Sequence, residues 1–301
     1  MDRLEAMKVF CTVVEAGGFA AAADRLGIST SAASRHVAQL EGHLNVRLLN
    51  RTTRRVSPTD EGYAYFERCT QLLADVEEAD SMVAGGAHLP RGRLRLTAPG
   101  ALATLRLAPA LAAFGDAHPE ISLDIVLSES VVDFIEEGID LAIRVGRVGS
   151  DNLVARRIGG AHLIAAAAPA YLSTRGTPRR PDELPAHACL TYAHAASGNV
   201  WRFQDPAGEV VEVRVAGRVH ANNGVLLAEM AAAGCGITMA PDFILEPMLR
   251  EGRLVPVLAE WAPPPLPIHA VYPSRRHLSA KVRAMSSFLA DWFQQAPVSS
   301  P

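Results

Sequence analysis

A short stretch near the start of the sequence carries side chains suited to contacts with a nucleic acid. Ser31, Ser34 and Arg35 recur at offsets of three and four residues, so on a helix they share one face. A helix in the major groove needs small side chains for close approach, hydroxyls for phosphates and a long donor for base edges. Its first turn also offers free backbone N–H groups to phosphate. The residues predicted to contact DNA from this helix are Thr30, Ser31, Ser34, Arg35 and Gln39.

Arginines continue this pattern after the helix. Residues 35–55 contain five arginines and a single acid, Glu41, on a chain whose formal net charge is −3. Residues 47–49 and 54–56 are predicted to form two short strands, and such a β-wing can reach the minor groove or adjacent phosphates. The wing residues predicted to contact DNA are Arg51, Thr52, Arg54 and Arg55. A surface helix with an unrelated hairpin is the alternative, but it does not explain why the arginines lie beside a small-residue helix.

The sequence lacks the usual motifs of catalysis. It contains no Gly-x-Ser-x-Gly elbow, no phosphate-binding Gly-x-x-x-x-Gly-Lys-Ser/Thr loop and no His-Glu-x-x-His pair. Gly234-Cys235-Gly236 follows a predicted helix, so it indicates a turn rather than a dinucleotide-binding loop. The ten histidines do not cluster with carboxylates at ligand spacing, and Asp182-Glu183 near His187 is predicted to lie in a surface loop. We therefore expect no enzyme activity, no metal and no cofactor.

Length and composition restrict the class of protein further. The chain has 301 residues, 49% of them hydrophobic, which suits two or three globular domains. It starts without an apolar signal segment and has no apolar run of the roughly 18 residues that a membrane helix needs. A cytoplasmic protein without a membrane partner is expected. The cysteines are scattered, which favours free thiols over a zinc site, a disulfide framework or a redox switch. They are Cys11, Cys69, Cys189 and Cys235.

Helical periodicity surrounds the predicted DNA contacts. Apolar spacing over 4–14 and 19–26 predicts two helices, the second ended by Gly27 as a C-terminal cap. Ser29 or Thr30 is predicted to cap a third helix. The inner face of that helix is predicted to consist of Ala33, Val37, Leu40 and Leu44.

A long helix is predicted next, capped by Thr59 and opened by Asp60 and Glu61. Its apolar residues alternate spacings of three and four up to Gly85-Gly86, and only Asp80 interrupts them. This period predicts packing on a partner helix in a dimer, with burial inside one subunit as the alternative. A dimer would present two copies of the predicted DNA-contacting helix and wing to two DNA half-sites. The predicted seam consists of Phe66, Cys69, Leu73, Val76 and Val83.

The rest of the chain alternates strand and helix signals. Strands are predicted over 94–97, 121–127 and 140–145, with a helix opened by Pro99 and another over 131–137. Such βαβ units predict a mostly parallel sheet with right-handed crossovers. A buried-type run over 163–168 is predicted to lead into a second subdomain. Residues 218–222 precede a predicted helix over 225–233, and a strand over 268–272 with a helix over 279–293 is predicted to return to the first subdomain.

Two helix starts in this body are suited to binding a small molecule. In open α/β sheets, ligands lie at the carboxyl ends of strands, where helices begin. Thr97-Ala98-Pro99-Gly100 and Asn222-Asn223-Gly224 offer polar side chains and N–H donors there, which suits a carboxylate or another anion. Ser128, Ser130 and Arg144 follow neighbouring strands and could join them. Helix capping by Thr97 and Asn222, and a structural ion pair for Arg144, are the alternatives.

The sequence resembles the LysR-type transcriptional regulators. The resemblance is carried by EAGGFAAAADRLGISTSAASRHVAQLEGHLNVRLLNRTTRRVSPTDEG, residues 15–62, and more weakly by GRLRLTAPG, GIDLAIRVG, PAYLSTRG, GCGITMAPDFI and RHLSAKVRAMSSFL. Gly18 replaces a usual serine, which weakens a helix cap. Asn45 replaces a usual glycine, but asparagine tolerates the left-handed conformation. Pro58 is less usual but compatible with the helix start.

This resemblance implies an α+β multidomain fold. It implies a winged helix-turn-helix (1–58), a linker and dimerisation helix (59–86), a hinge (87–92) and an effector domain (93–301). The effector domain would consist of two Rossmann-like subdomains, as in periplasmic binding proteins, at about 93–162 with 267–301 and about 163–266. A transport-type solute receptor would fit the effector domain but not the winged helix-turn-helix.

The resemblance also bears on partners and on the effector site. It implies double-stranded promoter DNA, a small-molecule effector and assembly into a homodimer or homotetramer, with RNA polymerase as a candidate further partner. It supports effector contacts near 97–104 and Ser128. The predicted effector-contacting residues are Thr97, Ala98, Pro99, Gly100, Thr104, Ser128, Arg144 and Asn222.

Overall fold

The chain folds into two compact units, Met1–Arg93 and Leu94–Pro301. The structure is a computed structural model that describes residues 2–51, 56–83, 90–130, 133–134, 137–146, 148, 152–205, 207–261, 263–274 and 278–295. Within those ranges, no helix has both the length and the apolar character needed to span a membrane.

The first unit begins with the helices α1 (Arg3–Ala16), α2 (Phe19–Leu26) and α3 (Thr30–Leu44). The first two end at Gly17 and Gly27, whose φ angles of 68° and 66° are left-handed and favour glycine. The predicted helices are confirmed. Their apolar faces pack together around Phe10, which is fully buried.

The residues that flank α2 and α3 behave as their types predict. Gly18 precedes α2 and supplies no side-chain cap. Of the two predicted caps of α3, Ser29 is the one that acts, because its hydroxyl accepts the N–H of Ala32 at 3.1 Å. Asn45 ends α3 in the left-handed conformation, with φ 52°, so the turn survives without glycine.

Two short strands form the wing, β1 (Leu49–Arg51) and β2 (Val56–Pro58). They are antiparallel, with Leu49 opposite Pro58 and Arg51 opposite Val56. The predicted strand at 47–49 is therefore wrong by two residues, and of the strand predicted at 54–56 only Val56 lies within the described residues, where it begins β2. The reason is that the carbonyls of Arg47 and Leu48 accept hydrogen bonds from Thr59, and the N–H of Leu48 donates to Glu41. These groups are therefore not used for pairing between the strands.

The long helix α4 (Asp60–Val83) begins as predicted, since the hydroxyl of Thr59 accepts the N–H of Gly62 at 2.9 Å. The predicted partner-helix seam is wrong for Cys69, whereas Phe66 and Leu73 lie partly buried against the core of their own unit. These side chains pack into the core of their own unit, and Cys69 is fully buried. The alternative of burial within one subunit is correct here because α1 needs its apolar face covered. Val76 is partly exposed, and the side chain of Val83 lies outside the described residues.

The second unit contains two five-stranded sheets and a separate hairpin. The strands are β3 (Gly92–Ala98), β4 (Ile121–Leu127), β5 (Leu141–Val145), β6 (Leu153–Ala161), β7 (Leu163–Ala167), β8 (Cys189–Tyr192), β9 (Val200–Gln204), β10 (Val210–Arg214), β11 (His220–Ala221), β12 (Ile237–Pro241), β13 (Val255–Pro256) and β14 (Leu266–Pro273). The first sheet has the order β4-β3-β5-β14-β6, the second has the order β11-β8-β12-β7-β13, and β9 pairs with β10 in the hairpin.

Both sheets are mixed, so the prediction of a mostly parallel sheet is correct for the pairs of β3 with β5 and of β8 with its neighbours and wrong for the pairs made by β7 and β14. In the first sheet β3 and β5 are parallel, but β14 runs antiparallel to both β5 and β6. In the second sheet β8 is parallel to β11 and β12, whereas β7 is antiparallel to β12 and β13. The antiparallel strands β6, β7 and β14 are those that carry the chain from one sheet to the other. The predicted return of the chain to the first sheet is confirmed by β14.

Helices cover the sheets of this unit. They are α5 (Gly100–Leu102), a π-helical segment (Ala103–Leu107), α6 (Ala108–Ala117), α7 (Pro169–Arg175), a 3-10 helix (Pro181–Ala186), α8 (Gly224–Ala232), α9 (Asp242–Arg250) and α10 (Ala280–Gln295). The helix predicted after Pro99 is confirmed and contains the π-helical segment. Residues 131, 132, 135 and 136 of the helix predicted over 131–137 lie outside the described residues. Of the described residues, Phe134 and Glu137 lie in a turn, and the N–H of Glu137 donates to the carbonyl of Asp133 at 3.0 Å.

Candidate DNA-binding head and effector site

The outer face of α3 combines small polar residues with one long cation. Thr30, Ser31, Arg35 and Gln39 are exposed, and Ser34 is half-buried. The opposite face packs inward through Ala33, Val37 and Leu40, which are all fully buried. The apolar face therefore fixes the orientation of the helix, and the predicted DNA-contacting residues of α3 share its outer surface.

Arg35 is free to contact a ligand outside the chain. It makes neither a hydrogen bond nor an ion pair with any other residue that the structure describes. The hydroxyls of Ser29 and Ser31 lie 3.0 Å apart at the start of the helix, where backbone N–H groups are also free. A guanidinium that has no partner among the described residues and lies on a face of small side chains fits the groove of a duplex.

The wing is fixed to α3 by a carboxylate that the sequence did not identify as functional. Oε1 of Glu41 accepts the backbone N–H groups of Leu48 and Leu49 at 2.8 and 3.1 Å. On the other side, the N–H of Thr59 donates to the carbonyl of Leu48 at 2.9 Å. Hydrogen bonds on both sides of Leu48 set the position of β1. Arg51 lies at the end of β1 next to the predicted tip, whereas Thr52, Arg54 and Arg55 lie outside the described residues.

In the second unit, Arg144 organises the loop that follows β4. Its guanidinium donates to the carbonyls of Ser128 and Ser130 at 3.3 and 2.9 Å, and the N–H of Ser128 donates to the carbonyl of Ala98 at 3.0 Å. Burial lowers the pKa of Arg144, while the nearby carboxylates of Glu129 and Glu137 act in the opposite direction. The structure therefore brings the carboxyl ends of β3, β4 and β5 together, as predicted. Among the described residues, Arg144 forms hydrogen bonds to backbone carbonyls and no ion pair, although the charges of Glu129 and Glu137 act on it.

Glu129 connects the two sheets of this unit. Its Oε1 accepts the N–H of Gly100 at 3.0 Å, and its Oε2 accepts the hydroxyl of Tyr192 at 2.9 Å. Gly100 follows β3 in the first sheet, and Tyr192 ends β8 in the second. Burial, together with this hydrogen bond and the charge of Glu129, raises the pKa of Tyr192 well above its usual range. We call Gly100, Glu129 and Tyr192 the inter-sheet junction.

The remaining predicted effector residues differ in burial and in hydrogen bonding. Thr97 is fully buried, and its hydroxyl has no hydrogen-bond partner among the described residues. Pro99 precedes α5 without a side-chain cap, and Thr104 is exposed on the π-helical segment. Asn222 is exposed and lies one residue beyond Ala221, which pairs with Tyr192. The cap of α8 is Asn223 rather than Asn222, since Asn223 accepts the N–H of Leu226 at 2.9 Å.

A second connection between the sheets involves Arg106 in the π-helical segment. Its guanidinium donates to the carbonyl of Gly160 at 3.0 Å and lies 3.8 Å from the carboxylate of Asp242. That carboxylate also accepts the N–H of His162, the residue between β6 and β7. These contacts fix the point where the chain passes from one sheet to the other. A π-helical segment often marks a functional position in a helix.

Metal chemistry has no support in the part of the chain that the structure describes. Within it, no group of three or more His, Cys, Asp or Glu side chains is placed to hold an ion. The residues that meet at the two candidate sites are instead donors and acceptors suited to DNA and to a small organic molecule.

Two family patterns match the chain, one on each unit. Residues 4–63 match the bacterial regulatory helix-turn-helix protein, lysR family, and residues 87–294 match the LysR substrate binding domain. The chain belongs to the LysR family of transcriptional regulators. It is a LysR-type transcriptional regulator with a DNA-binding helix-turn-helix and an effector-binding domain, so the family and function predicted from the sequence are confirmed.

Individual LysR-type relatives match over nearly the full length. The chain is 38% identical over 286 residues to an uncharacterised HTH-type transcriptional regulator of Haemophilus influenzae, covering 95% of this chain and 99% of that one. It is 35% identical over 288 residues to the HTH-type transcriptional regulator CrgA of Neisseria meningitidis serogroup B, covering 95% and 96%. Among solved structures, the full-length Vibrio cholerae virulence activator AphB matches with a TM-score of 0.59 at 30% identity, covering 96% and 98%.

Three residues of this LysR-type regulator were missed in the sequence. Glu129 lies between Ser128 and Ser130, which were predicted to join the effector site, but an acid does not fit a site predicted to bind an anion. Tyr192 gives no signal in the sequence because its role depends on the approach of two sheets. Glu41 interrupts a basic stretch, and its isolation was the one available hint that it has a structural role.

Proposed function

We propose that α3 lies in the major groove of an operator, with Arg35 reading a base edge. Thr30, Ser31, Ser34 and Gln39 would contact phosphates or neighbouring bases from the same face. The observation that carries this proposal is the exposed guanidinium of Arg35, which has no partner among the described residues and lies on a face of small side chains. A bidentate arginine is the commonest specific contact to guanine.

The wing would hold the first unit (Met1–Arg93), which we call the head, on the duplex beside α3. Arg51 lies at the end of β1, and Thr52, Arg54 and Arg55 follow it in the sequence. Arginine side chains at this position would grip the minor groove or its phosphates. Their contribution would be largely independent of the DNA sequence, because phosphate contacts set register more than they select bases.

Assembly into a homodimer or homotetramer would place two heads on two half-sites. Some apolar side chains of α4 pack into the core of the first unit, and others are exposed to solvent. Tyr63, Leu72 and Val76 are 56%, 43% and 36% exposed, and they are candidates for the contact with a second α4. RNA polymerase would be a further partner when the regulator is bound at a promoter in the cytoplasm.

The effector would bind at the inter-sheet junction, near 97–100, Thr104, Ser128 and Asn222. Both sheets contribute to that place, so a bound molecule would change how the two sheets close on each other. Such closure would change the spacing or angle of two heads within the assembly. A coupling free energy of about 1–3 kcal/mol between effector and DNA would give a response of roughly five- to a hundredfold.

Selection of genomic DNA tests this function. The purified full-length protein is incubated with fragments of its own genome at about 0.15 M salt, where nonspecific binding is weak. We expect a small set of promoter fragments to be retained and to survive an excess of unrelated competitor DNA. Addition of candidate metabolites to those fragments should then change the retained fraction for a subset of compounds. Retention that never exceeds that of random DNA would contradict the proposal.

A further inference from the structure

The acceptor position at the inter-sheet junction is already occupied by the chain's own carboxylate. The two donors that a bound anion would use there are the N–H of Gly100 and the hydroxyl of Tyr192. Glu129 takes both, at 3.0 and 2.9 Å. An anionic effector would therefore have to displace Glu129, or lie beside its negative charge in a partly buried place where charge repulsion is weakly screened.

The position of Glu129 is determined by hydrogen bonds to the residues on both sides of it. Arg144 donates to the carbonyls of both neighbours of Glu129, Ser128 and Ser130, and the N–H of Ser130 donates to the hydroxyl of Ser128 at 3.2 Å. The backbone on each side is fixed, and the carboxylate is directed at Gly100. The guanidinium of Arg144 uses these contacts on carbonyls and makes no hydrogen bond to Glu129 in the described structure.

The charges at the junction are the carboxylates of Glu129 and Glu137 and the guanidinium of Arg144, so one negative charge is in excess, which favours a cation over an anion. Each oxygen of Glu129 accepts one hydrogen bond in the structure, which leaves acceptor capacity for a ligand. Glu137 adds a second negative charge near Arg144. A carboxylate binds an ammonium or amidinium through charge-assisted hydrogen bonds, which are shorter and about twice as strong as neutral ones.

We propose that Glu129 selects the effector, and that the effector group bound at the inter-sheet junction is a cationic hydrogen-bond donor. This inference rests on the proposed placement of the effector between the two sheets. Glu129 is then the residue that determines specificity, and Arg144 positions it. The donors of Gly100 and Tyr192 hold the carboxylate in place and do not bind the effector directly.

A pair of probes with the same shape and opposite charge tests the proposal. Acetate and acetamidinium are both small and planar, and each is added as a salt to the full-length protein at constant ionic strength, with sodium chloride as reference. The measurement is the saturable rise of the melting temperature, from which an apparent Kd is obtained for each probe. For the wild type we expect acetamidinium to bind and acetate to give no saturable rise.

The preference should invert when the internal carboxylate is removed. In Glu129→Ala, the N–H of Gly100 and the hydroxyl of Tyr192 lack their acceptor, so acetate should bind there and acetamidinium should not. The ratio of the two apparent Kd values should change by at least about tenfold, the effect of one charge-assisted hydrogen bond. In Glu129→Gln the amide still fills the position without a charge, and neither probe should bind. This variant also reports whether loss of the charge alone unfolds the unit.

Glu137→Gln is the matched control, because it removes a carboxylate near Arg144 that does not contact Gly100 or Tyr192 in the described structure. It should keep the probe preference of the wild type. Acetate binding equally to the wild type and Glu129→Ala would overturn the proposal. So would a preference that Glu129→Ala leaves unchanged, or the absence of a saturable response to both probes.

Failure of this inference is separable from failure of the proposed function. Retention of promoter fragments is measured on the same variants without any effector or probe. Retention that is intact while the probe preference fails to invert would leave the DNA-binding function standing and reject the role of Glu129. An inverted preference with no promoter retention would support the role of Glu129 and reject the DNA-binding function.

Discussion

Cys11 and Cys69 show how two residues far apart in the chain change each other's chemistry. They meet in the core of the head, where both thiols are buried. A hydrogen bond with Cys69, together with burial, raises the pKa of Cys11 far above its usual range. The hydrogen bonds from Cys11 and from Tyr65 lower the pKa of Cys69, although burial opposes this effect. Burial also raises the pKa of Tyr65, to about 12.

The four thiols should therefore differ sharply in reactivity. With an aromatic disulfide reagent at pH 8, we expect one thiol of the native protein to react quickly, because Cys235 alone among the four is exposed. Burial raises the pKa of Cys189 to about 12, so its thiolate is scarce at this pH. The remaining thiols should react only after unfolding in denaturant. Cys235→Ser should abolish the fast phase, and a second fast thiol in that variant would refute the burial of the others.

Single residues were predictable where their role is local. The hydroxyls of Ser29 and Thr59 each accept an N–H three residues ahead, and their sequence neighbours identify them as caps. Asn45 was identified through the family resemblance, since it replaces a usual glycine at the end of α3. The exposure of Arg35 follows from the apolar spacing of the opposite face of α3. Glu129 was not predictable, since its partners Gly100 and Tyr192 lie 29 and 63 residues away in the chain.

At the level of elements, the wing and α4 depend on one very close backbone approach. A Cβ atom added to Gly62 would lie 1.9 Å from the carbonyl oxygen of Leu48. That carbonyl also accepts the N–H of Thr59, so it has no freedom to move away without loss of the junction between wing and helix. Gly62 therefore allows α4 to start directly beside β1.

Gly62→Ala should destabilise the first unit by about 1–3 kcal/mol or more, since the added Cβ would clash with the backbone carbonyl of Leu48. Loss of helical circular dichroism with denaturant would report it. All three tryptophans, Trp201, Trp261 and Trp292, lie in the second unit, so the tryptophan fluorescence transition should stay in place.

Gly42→Ala is the matched control within the same head. Gly42 lies on α3, and an added Cβ would meet nothing within 4 Å. This variant should be neutral or more stable by up to about 1 kcal/mol, because alanine is the better helix former. Equal destabilisation by both substitutions would contradict the close approach at Gly62.

Elements were predictable to the extent that their signals are periodic. The helices of the head follow from apolar spacing and glycine caps, and the order of strand and helix signals led to the two-sheet body. The direction of β6, β7 and β14 did not follow, because strand pairing is a long-range property. The seam of α4 was assigned to a partner because periodicity shows that a face is buried without showing what buries it.

At the scale of the whole molecule, the two units separate two kinds of recognition. The head presents side chains outward from a helix whose inner face is fully packed. In the second unit, polar groups meet between the two sheets, where Glu129 accepts hydrogen bonds from Gly100 and Tyr192. The family and the division into head and body could be predicted from the sequence, because dense local motifs carry them. The polar contacts between the sheets could not, since each depends on the complete fold.

The central claim is that Arg35 reads a base from the outer face of α3. The most direct test compares the affinity of the full-length protein for a selected promoter fragment and for random DNA, in the wild type and in Arg35→Ala. Arg68→Ala is the matched control, since it removes an exposed arginine from α4 instead. The account predicts that Arg35→Ala weakens promoter binding by roughly 1–3 kcal/mol and weakens binding to random DNA far less. Equal weakening on both DNAs with a reduced salt slope, or an effect no larger than that of Arg68→Ala, would contradict it.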